Sequence, residues 1–320
     1  MKLAHVAIAT PGRCGLYETT RDLAAAERAL GADARIVDPA PTPFHPGEED
    51  RGVPMADIAW AATADVMVDH SGIDTPGLHE LQKPIVYVSH GRPASSFIGE
   101  RAGRAPVLSY WYRRNTDPRY KAVVTFWPEH VPYLEGIWTK TPVHAVYPPV
   151  DLSAWRPGPT SYDFAGNRGS VNVVIADMWR DDVDPFPCLA AFRMFAQSTP
   201  GARLHLYGLP AERRGIDVYL RIFRDAGQLG VIQGWTKGLL QVYRAADLVI
   251  SPHRIYTRTL REAMAVGCQV VSGRDADPTD LRAFSEAMVE RLAHRRDERA
   301  VAAVLFDARE SARQFLEVAA

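Results

Sequence analysis

The chain has 320 residues, of which 47% are hydrophobic and 23% are charged, and its formal net charge at pH 7 is −1. This length suits two globular domains, and the balanced charge excludes a general electrostatic attraction to nucleic acid or to anionic membranes. The three cysteines, Cys14, Cys188 and Cys268, are scattered singly, which argues against disulfides and a zinc site and favours a reducing cytoplasm.

The first half of the chain predicts alternating strands and helices. An apolar run at residues 3–9 is typical of a buried strand, and it is too short to be the core of a signal peptide. A stretch of strong helix formers around Ala24 and Leu30 predicts a helix that ends at Gly31. Further strands are predicted at residues 34–37, 65–68, 85–89, 122–125 and 143–147.

Residues 148–170 interrupt this alternation with prolines, glycines and small polar residues, which predicts a linker followed by a loop. A second series of apolar runs follows, with strands predicted at residues 171–176, 203–207, 231–233, 248–250 and 269–271. Helices are predicted at residues 186–197, 217–226, 237–244, 279–292 and 300–318. No stretch approaches the ~18 uninterrupted apolar residues of a transmembrane helix.

This pattern predicts an α/β fold with two Rossmann-like domains that face each other across a cleft. The domains are expected at residues 1–147 and 171–300, and the helix within 301–320 could pack back on the first of them. In such folds ligands bind beyond the carboxyl ends of the strands, where the start of a helix can hold an anion.

Four cationic or titratable side chains follow the predicted strand at 248–250, at the start of a short helix: His253, Arg254, Arg258 and Arg261. Cations at a helix start oppose the helix dipole, so their presence there favours a bound phosphate that compensates them. The alternative is that these arginines are ordinary solvated surface charges.

The segment "GWTKGLLQVYRAADLVISPHRIYTRTLREAMAVGCQVVSG" resembles the carboxyl-terminal signature of GT-B nucleotide-sugar glycosyltransferases. It is most similar to the large retaining family that includes sucrose-, mannosyl- and glycogen-type synthases, also called glycosyltransferase group 1. The matching positions are Gly234, Ala246–Asp247, Ser251–Pro252, Glu262–Gly267 and Val270–Val271. The segment "PPVDLSAWRP" resembles the interdomain linker of that family, and "PGRCGLYETTRDLAAAERALGADARIVD" resembles its first glycine loop and helix.

The resemblance implies transfer of a sugar from a nucleoside-diphosphate sugar to an acceptor hydroxyl, without a metal, with retention and with no tightly bound cofactor. It places the acceptor on the first domain and the donor on the second. The acceptor itself, a saccharide, a small molecule or a DNA base, is not encoded in any motif. The donor-binding candidates are Gly12, Gly15, Arg180, Gly234, Lys237, His253, Arg254, Arg258 and Glu262.

Two departures from the family pattern concern the donor. Glu262 matches the second of two signature glutamates, whereas Arg254 occupies the position of the first. Arg180 can match the arginine that grips the donor diphosphate, but no lysine follows it at the usual offset, and Arg254, Arg258 or Lys237 could supply that charge. For Glu262 the resemblance implies a hydrogen bond with the ribose, while Thr259 to Glu262 also fits a helix capping box.

The catalytic candidates follow two apolar strands of the first half. His90 with Arg92 is the preferred acceptor-side pair, and Asp69 with His70 is the second. A histidine titrates near neutral pH and can therefore move the acceptor proton, although such residues often only pack or cap. Two Asp-x-Asp patterns, at Asp182–Asp184 and Asp275–Asp277, lie near predicted helix starts and are expected to act as caps instead of metal ligands.

Other functions stay open. Residues 101–121 interleave arginines and a lysine with Tyr110, Trp111 and Tyr112, which is compatible with a DNA-base acceptor, as in phage glucosyltransferases, or with a solvated helix and loop. A non-catalytic nucleotide-sugar-binding protein and a sugar-nucleotide epimerase are further alternatives. The glycine spacing of "GRCG" disfavours an NAD enzyme.

Overall fold

The computed structural model describes residues 1–8, 15–38, 49–71, 75, 77–91, 107–165, 170–176, 184–209 and 216–320. These residues form two compact units. The first comprises Met1–Asp151 together with Leu305–Ala320, and the second comprises Leu152–Val304.

The first unit is built on a sheet whose strand order is β3-β4-β2-β1-β5-β6-β7-β8. All neighbouring strands are parallel except the β3–β4 hairpin. The strands β2 to β4 lie on one side of β1, and the strands β5 to β8 lie on its other side. The carboxyl ends of β1 and β5 therefore form the topological switch point of the sheet. The strands are β1 (Lys2–Val6), β2 (Asp33–Val37), β3 (Glu49–Asp50), β4 (Val53–Ala56), β5 (Val66–Asp69), β6 (Ile85–Ser89), β7 (Tyr120–Thr125) and β8 (Val143–Ala145).

The second unit contains a five-stranded sheet that is parallel throughout, with the order β11-β10-β9-β12-β13. This is the strand order of a Rossmann fold, with its switch point between β9 and β12. The predicted α/β fold with two Rossmann-like domains is confirmed. The strands are β9 (Asn172–Ile175), β10 (Arg203–Leu206), β11 (Leu229–Ile232), β12 (Leu248–Ser251) and β13 (Gln269–Ser272).

Helices connect the strands and cover the sheets. They are α1 (Gly15–Ala29), α2 (Ile58–Ala61), α3 (Val107–Arg114), α4 (Val131–Glu135), α5 (Phe186–Ser198), α6 (Ile216–Asp225), α7 (Leu239–Ala245), α8 (Arg258–Ala265), α9 (Leu281–Ala293), α10 (Glu298–Phe306) and α11 (Ala308–Ala319), with a 3₁₀ turn at Pro128–His130. In the first unit α11 packs against α1, and in the second α9 packs against α5. No helix in the described part of the chain combines the length and the hydrophobicity that crossing a bilayer requires.

Each unit has its own apolar core. In the first, Tyr87 and Tyr120 both pack on Trp138, and Trp111 meets Tyr87 edge-on. In the second, the core includes Phe192, Phe195, Phe223 and Phe284. Burial of each large apolar side chain contributes roughly 1.5–3 kcal/mol, so these clusters supply much of the force that holds the helices on the sheets.

Two elements differ from the sequence-based expectation. The β3–β4 hairpin was not predicted, and its turn uses Arg51 and Gly52 at φ of 50° and 79°, as two-residue hairpin turns require. The single helix predicted at 300–318 is wrong, because the chain breaks at Asp307, whose side chain accepts a hydrogen bond from the Arg309 amide and starts a new helix.

Candidate active site

Three histidines meet at the carboxyl edge of the first sheet. His5 lies on β1, while His70 and His90 follow β5 and β6. Nδ1 of His5 lies 2.9 Å from Nε2 of His70, and Nδ1 of His70 lies 2.7 Å from Nε2 of His90. Because β1, β5 and β6 are neighbours in the sheet, the strand order brings together side chains that are far apart in the sequence.

A buried carboxylate continues this row. Oε2 of Glu27, on α1, lies 2.6 Å from Nε2 of His5, and both side chains are inaccessible to solvent. Sequence reasoning placed His70 and His90 here but missed His5 and Glu27. The available signal was a histidine within the otherwise apolar strand "LAHVA", where a polar side chain needs a buried partner.

His70 is the central link of the row. Burial, followed by the neighbouring His90 and His5, lowers the pKa of His70 well below its ordinary value of 6.5. His70 is therefore neutral near pH 7. A neutral imidazole that hydrogen-bonds through both nitrogens donates at one and accepts at the other, so the proton positions of its two neighbours are coupled.

Asp69 is buried beside the row but faces other groups. One of its oxygens accepts hydrogen bonds from the Ser71 amide at 2.9 Å and hydroxyl at 2.7 Å, and the other accepts from the Tyr110 hydroxyl and lies 3.6 Å from Nε2 of His79. Burial alone would raise the pKa of Asp69, but the hydrogen bonds from His79, Tyr110 and Ser71 outweigh it and lower the pKa. These contacts tie Ser71 and Tyr110 to the end of β5, and a catalytic role for Asp69 stays a prediction.

Three predicted residues, Gly12, Arg92 and Arg180, lie outside the described residues. Gly15 is the first residue of α1.

The switch point of the second sheet carries a buried ion pair. On α8, Nε of Arg258 lies 2.5 Å from Oε1 of Glu262, and each side chain is only 7% exposed. Thr257 is the N-cap residue of this helix and Thr259 lies inside it. The alternative considered for Glu262, a capping box with Thr259, is therefore wrong.

His253 and Arg254 occupy the turn between β12 and α8. His253 is buried, and its carbonyl accepts a hydrogen bond from the Gly273 amide at 2.9 Å. A Cβ on Gly273 would lie 2.9 Å from the Pro252 carbonyl oxygen, so glycine allows the turns after β12 and β13 to approach closely. Arg254 points outward, with its side chain 58% exposed, and pairs with Asp277 at 2.6 Å.

The structure brings together His253, Arg254, Arg258 and Glu262, but it places two other candidates elsewhere on the same edge. Gly234 and Lys237 follow β11, the edge strand, which is three strand positions from β12, or roughly 14 Å at the usual strand spacing. Lys237 lies over the Trp235 ring, 5.8 Å from its centroid. A donor-binding role for this pair stays a prediction.

Asp182 of the first Asp-x-Asp pattern lies outside the described residues, and the other three aspartates make local hydrogen bonds. Asp184 accepts from the Phe186 amide, Asp275 from Ser272, and Asp277 from Thr279. Among the described residues, no group of three or more histidines, cysteines, aspartates and glutamates has the arrangement of a metal site.

The basic and aromatic segment offers little stacking surface in its described part. Tyr110 and Trp111 are buried in the core of the first unit, and only Tyr112 of the three aromatic residues is exposed. Arg119 bonds to Asp117 and to two main-chain carbonyls. The aromatic residues of this segment therefore serve mainly to stabilise the fold, which weakens the argument for a DNA-base acceptor.

No protein-family model matches the chain, and no curated protein matches it in sequence. Solved structures do match along nearly the whole chain. HepE of Anabaena in complex with UDP-glucose has a TM-score of 0.71 at 16% identity, covering 99% of this chain and 98% of that one.

Two further glycosyltransferases are similar. The T4 α-glucosyltransferase in complex with UDP and DNA has a TM-score of 0.69 at 11% identity, covering 99% of each chain. TarM of S. aureus, in a complex that includes UDP, has a TM-score of 0.68 at 8% identity, covering 99% of this chain and 96% of that one. The chain therefore has the GT-B fold of these enzymes, as the sequence predicted.

Proposed function

We propose that the protein is a glycosyltransferase that moves a sugar from a nucleoside-diphosphate sugar, with UDP-sugars as the first donors to test, to an acceptor hydroxyl. The observation that carries the proposal is the buried Arg258–Glu262 pair at the start of α8, at the switch point of the second sheet. The similar structures support it, since HepE is bound to UDP-glucose and the T4 enzyme and TarM to UDP.

The donor diphosphate is proposed to bind at the start of α8. The helix dipole favours negative charge there. The guanidinium groups of Arg258 and Arg254, each paired with a carboxylate, can offer further donors to a phosphate. Arg180 is proposed as a further phosphate ligand from the stretch after β9. Gly12 and Gly15, the first residue of α1, are proposed to let a ligand approach the backbone closely.

Glu262 is proposed to accept hydrogen bonds from the ribose hydroxyls. Its bond with Arg258 uses one carboxylate oxygen and fixes the side chain, and a carboxylate has capacity for further donors. Gly234 and Lys237, at the far end of the same sheet edge, are proposed to contact more distant parts of the donor.

Cationic groups near the diphosphate lower the barrier because the leaving group gains negative charge as its bond to the anomeric carbon breaks. Each well-placed donor of this kind is worth about 2.7–4 kcal/mol. His90 and Arg92 are proposed on the acceptor side, where His90 takes the proton of the attacking hydroxyl. We propose retention, no metal and no tightly bound cofactor, as the resemblance to group 1 enzymes implies.

The three cysteines, scattered singly along the sequence, support the proposal of a reducing, cytoplasmic location.

Donor binding is the first test. In thermal-shift and calorimetric titrations with UDP-, GDP- and ADP-sugars, we expect at least one donor to raise the melting temperature by mass action. Arg254→Ala should weaken the affinity for that donor about tenfold, in line with the loss of one charge-assisted hydrogen bond. The control is Arg313→Ala, which removes an exposed arginine from α11 in the other unit.

The outcomes separate the alternatives. If no nucleotide sugar binds, the proposal fails. Tight binding without release of sugar to any acceptor would favour a binding protein, and conversion of the sugar without an acceptor would favour an epimerase.

A further inference from the structure

An unbroken row of hydrogen bonds joins a buried carboxylate to the carboxyl edge of the first sheet. It runs from Oε2 of Glu27 through His5 and His70 to His90, with donor–acceptor distances of 2.6, 2.9 and 2.7 Å. Nε2 of each imidazole faces towards Glu27, and Nδ1 of His5 and of His70 faces towards His90. We refer to these four side chains as the histidine row.

This geometry allows only two arrangements of protons when all three rings are neutral. If Glu27 is ionised, His5 donates to it through Nε2–H, and His70 and His90 must then also carry their protons on Nε2. If Glu27 is protonated and donates to His5, all three rings carry their protons on Nδ1. If the three rings carried their protons on different nitrogens, one hydrogen bond of the row would contain no proton or two protons.

Glu27 differs from an ordinary structural carboxylate in its surroundings. It is fully buried, and among the described residues its Oε1 atom has no hydrogen-bond partner. A buried carboxylate with a single partner is costly, so stabilisation of its charge depends on the proton that His5 shares with it. Glu27 is therefore well suited to take up a proton that arrives through the row.

Other elements around the row contribute aromatic rings. From α11, Phe315 lies 6.2 Å from His5, and after β7 Phe126 packs edge-on against His90 at 5.0 Å, both measured between ring centroids. Two other charged residues of α1 make ion pairs outside the row, because Arg21 pairs with Glu18, Asp22 and Asp50, and Arg28 pairs with Asp33. Asp69 faces Ser71 and Tyr110.

We propose that the histidine row is a proton relay and that Glu27 is its terminal proton acceptor. A proton that reaches His90 displaces the Nε2 proton of His90 to Nδ1 of His70. The Nε2 proton of His70 then passes to Nδ1 of His5, and the Nε2 proton of His5 passes to Glu27. One proton enters, one carboxylate becomes a carboxylic acid, and every imidazole stays neutral.

Within the proposed function, on which this role rests, the relay stores the proton that the acceptor hydroxyl loses as its oxygen bonds to the anomeric carbon. The electron pair of the broken bond leaves with the diphosphate. Glu27 and His5 act through His90, so they are positioning residues and do not contact the substrate.

The first test needs neither substrate nor mutation. In protein with ¹⁵N-labelled histidine, NMR chemical shifts at pH 8 report the tautomer of each ring, and couplings across N–H···N bonds report the links. We expect one shared tautomer for His5, His70 and His90, with couplings across both imidazole–imidazole bonds. Mixed tautomers or absent couplings in the folded protein would overturn the relay.

The second test removes the terminal acceptor. Glu27→Gln keeps the shape but can neither hold the charge nor take up the proton, so we expect the titration of His90 to move at least one pH unit lower. In a His70→Phe background the same substitution should move it far less, because the link is broken. Glu18→Gln, also on α1 but outside the row, is the control and should leave the His90 titration unchanged.

An unchanged His90 titration in folded Glu27→Gln would refute the role of Glu27. In turnover, the acid limb of the pH profile of kcat should shift in this variant while KM for the donor stays constant. Because the NMR measurements use no nucleotide, a failed relay and a failed sugar-transfer assignment give different results.

Discussion

The two sheets share a Rossmann strand order, yet the side chains at their carboxyl edges have opposite chemistry. The edge of the first unit carries imidazoles that bond to one another, and that of the second carries guanidinium groups paired with carboxylates. An imidazole gains and loses a proton near neutral pH, whereas a guanidinium stays charged. The same strand order thus carries titratable side chains at one edge and permanently charged side chains at the other, and the residues that follow the strands make the difference.

The largest expected effect concerns the buried Arg258–Glu262 pair of the second unit. Glu262→Ala leaves the Arg258 charge buried without its carboxylate, so we expect a loss of about 3–5 kcal/mol in the free energy of unfolding. Urea denaturation measures it. The matched control is Arg254→Ala, whose exposed pair with Asp277 should contribute little. Similar losses in the two variants would contradict the distinction between a buried and an exposed pair.

A second prediction concerns His205, a buried histidine that lies outside the histidine row. Nδ1 of His205 accepts from the Val231 amide at 2.9 Å, and Nε2 lies 3.0 Å from the Asn172 side-chain oxygen. Burial, helped by the charge of Arg203, lowers the pKa of His205 from 6.5 to about 3. The folded protein thus binds fewer protons than the unfolded chain between these values, and stability falls as the pH drops through this window.

At pH 5 the titration of His205 alone should lower the free energy of unfolding by about 2 kcal/mol from its value above pH 6.5. His205→Gln, which has no proton to gain, should lose about 2 kcal/mol less than the wild type between pH 7 and pH 5. Urea denaturation at both pH values gives the comparison. Equal pH dependence in the two proteins would show that His205 is not held neutral.

The smallest expected effect concerns the exposed Arg254–Asp277 pair at the carboxyl edge of the second sheet. Hydrogen bonds from Thr279, together with Arg254, lower the pKa of Asp277, which is therefore ionised at neutral pH. Asp277→Asn removes a charge that competes with a diphosphate for Arg254, so the affinity for UDP should rise about two- to fivefold at low salt. Calorimetry measures it.

Asp280→Asn is the control for Asp277→Asn, because it removes the same charge from a nearby residue that caps α9. A gain in affinity that is equal in both variants would point to general electrostatics instead of release of Arg254.

Much of the fold could be predicted because buried parallel strands are continuous apolar runs, as at β6 and β12. The hairpin at Arg51–Gly52 was missed because Pro54 and the short strands weaken a propensity argument. The division between α10 and α11 was present in the sequence as Asp307 followed by Glu310, a helix-start pattern that a long amphipathic stretch concealed.

The candidate site was only partly predictable. His70 and His90 follow apolar strands, which sequence alone reveals, but Glu27 is 22 positions from His5 and His5 is 65 positions from His70. Such pairs meet only through the strand order, which no local pattern encodes. For Glu262 the alternative took Thr259 as the N-cap, whereas the N-cap is Thr257, two residues earlier. The glutamate instead bonds to Arg258, one turn before it.

Because α11 completes the first unit, the order in which this protein finishes folding should run against the order of its synthesis. Phe315 covers His5, and Val150 donates its amide proton to the carbonyl of Phe306. The ribosome therefore makes β1 and α1 some three hundred residues before their last packing partner emerges. We expect the second unit to become compact while the first is still open to chaperones, and a nascent chain stalled before α11 should expose the first unit to protease.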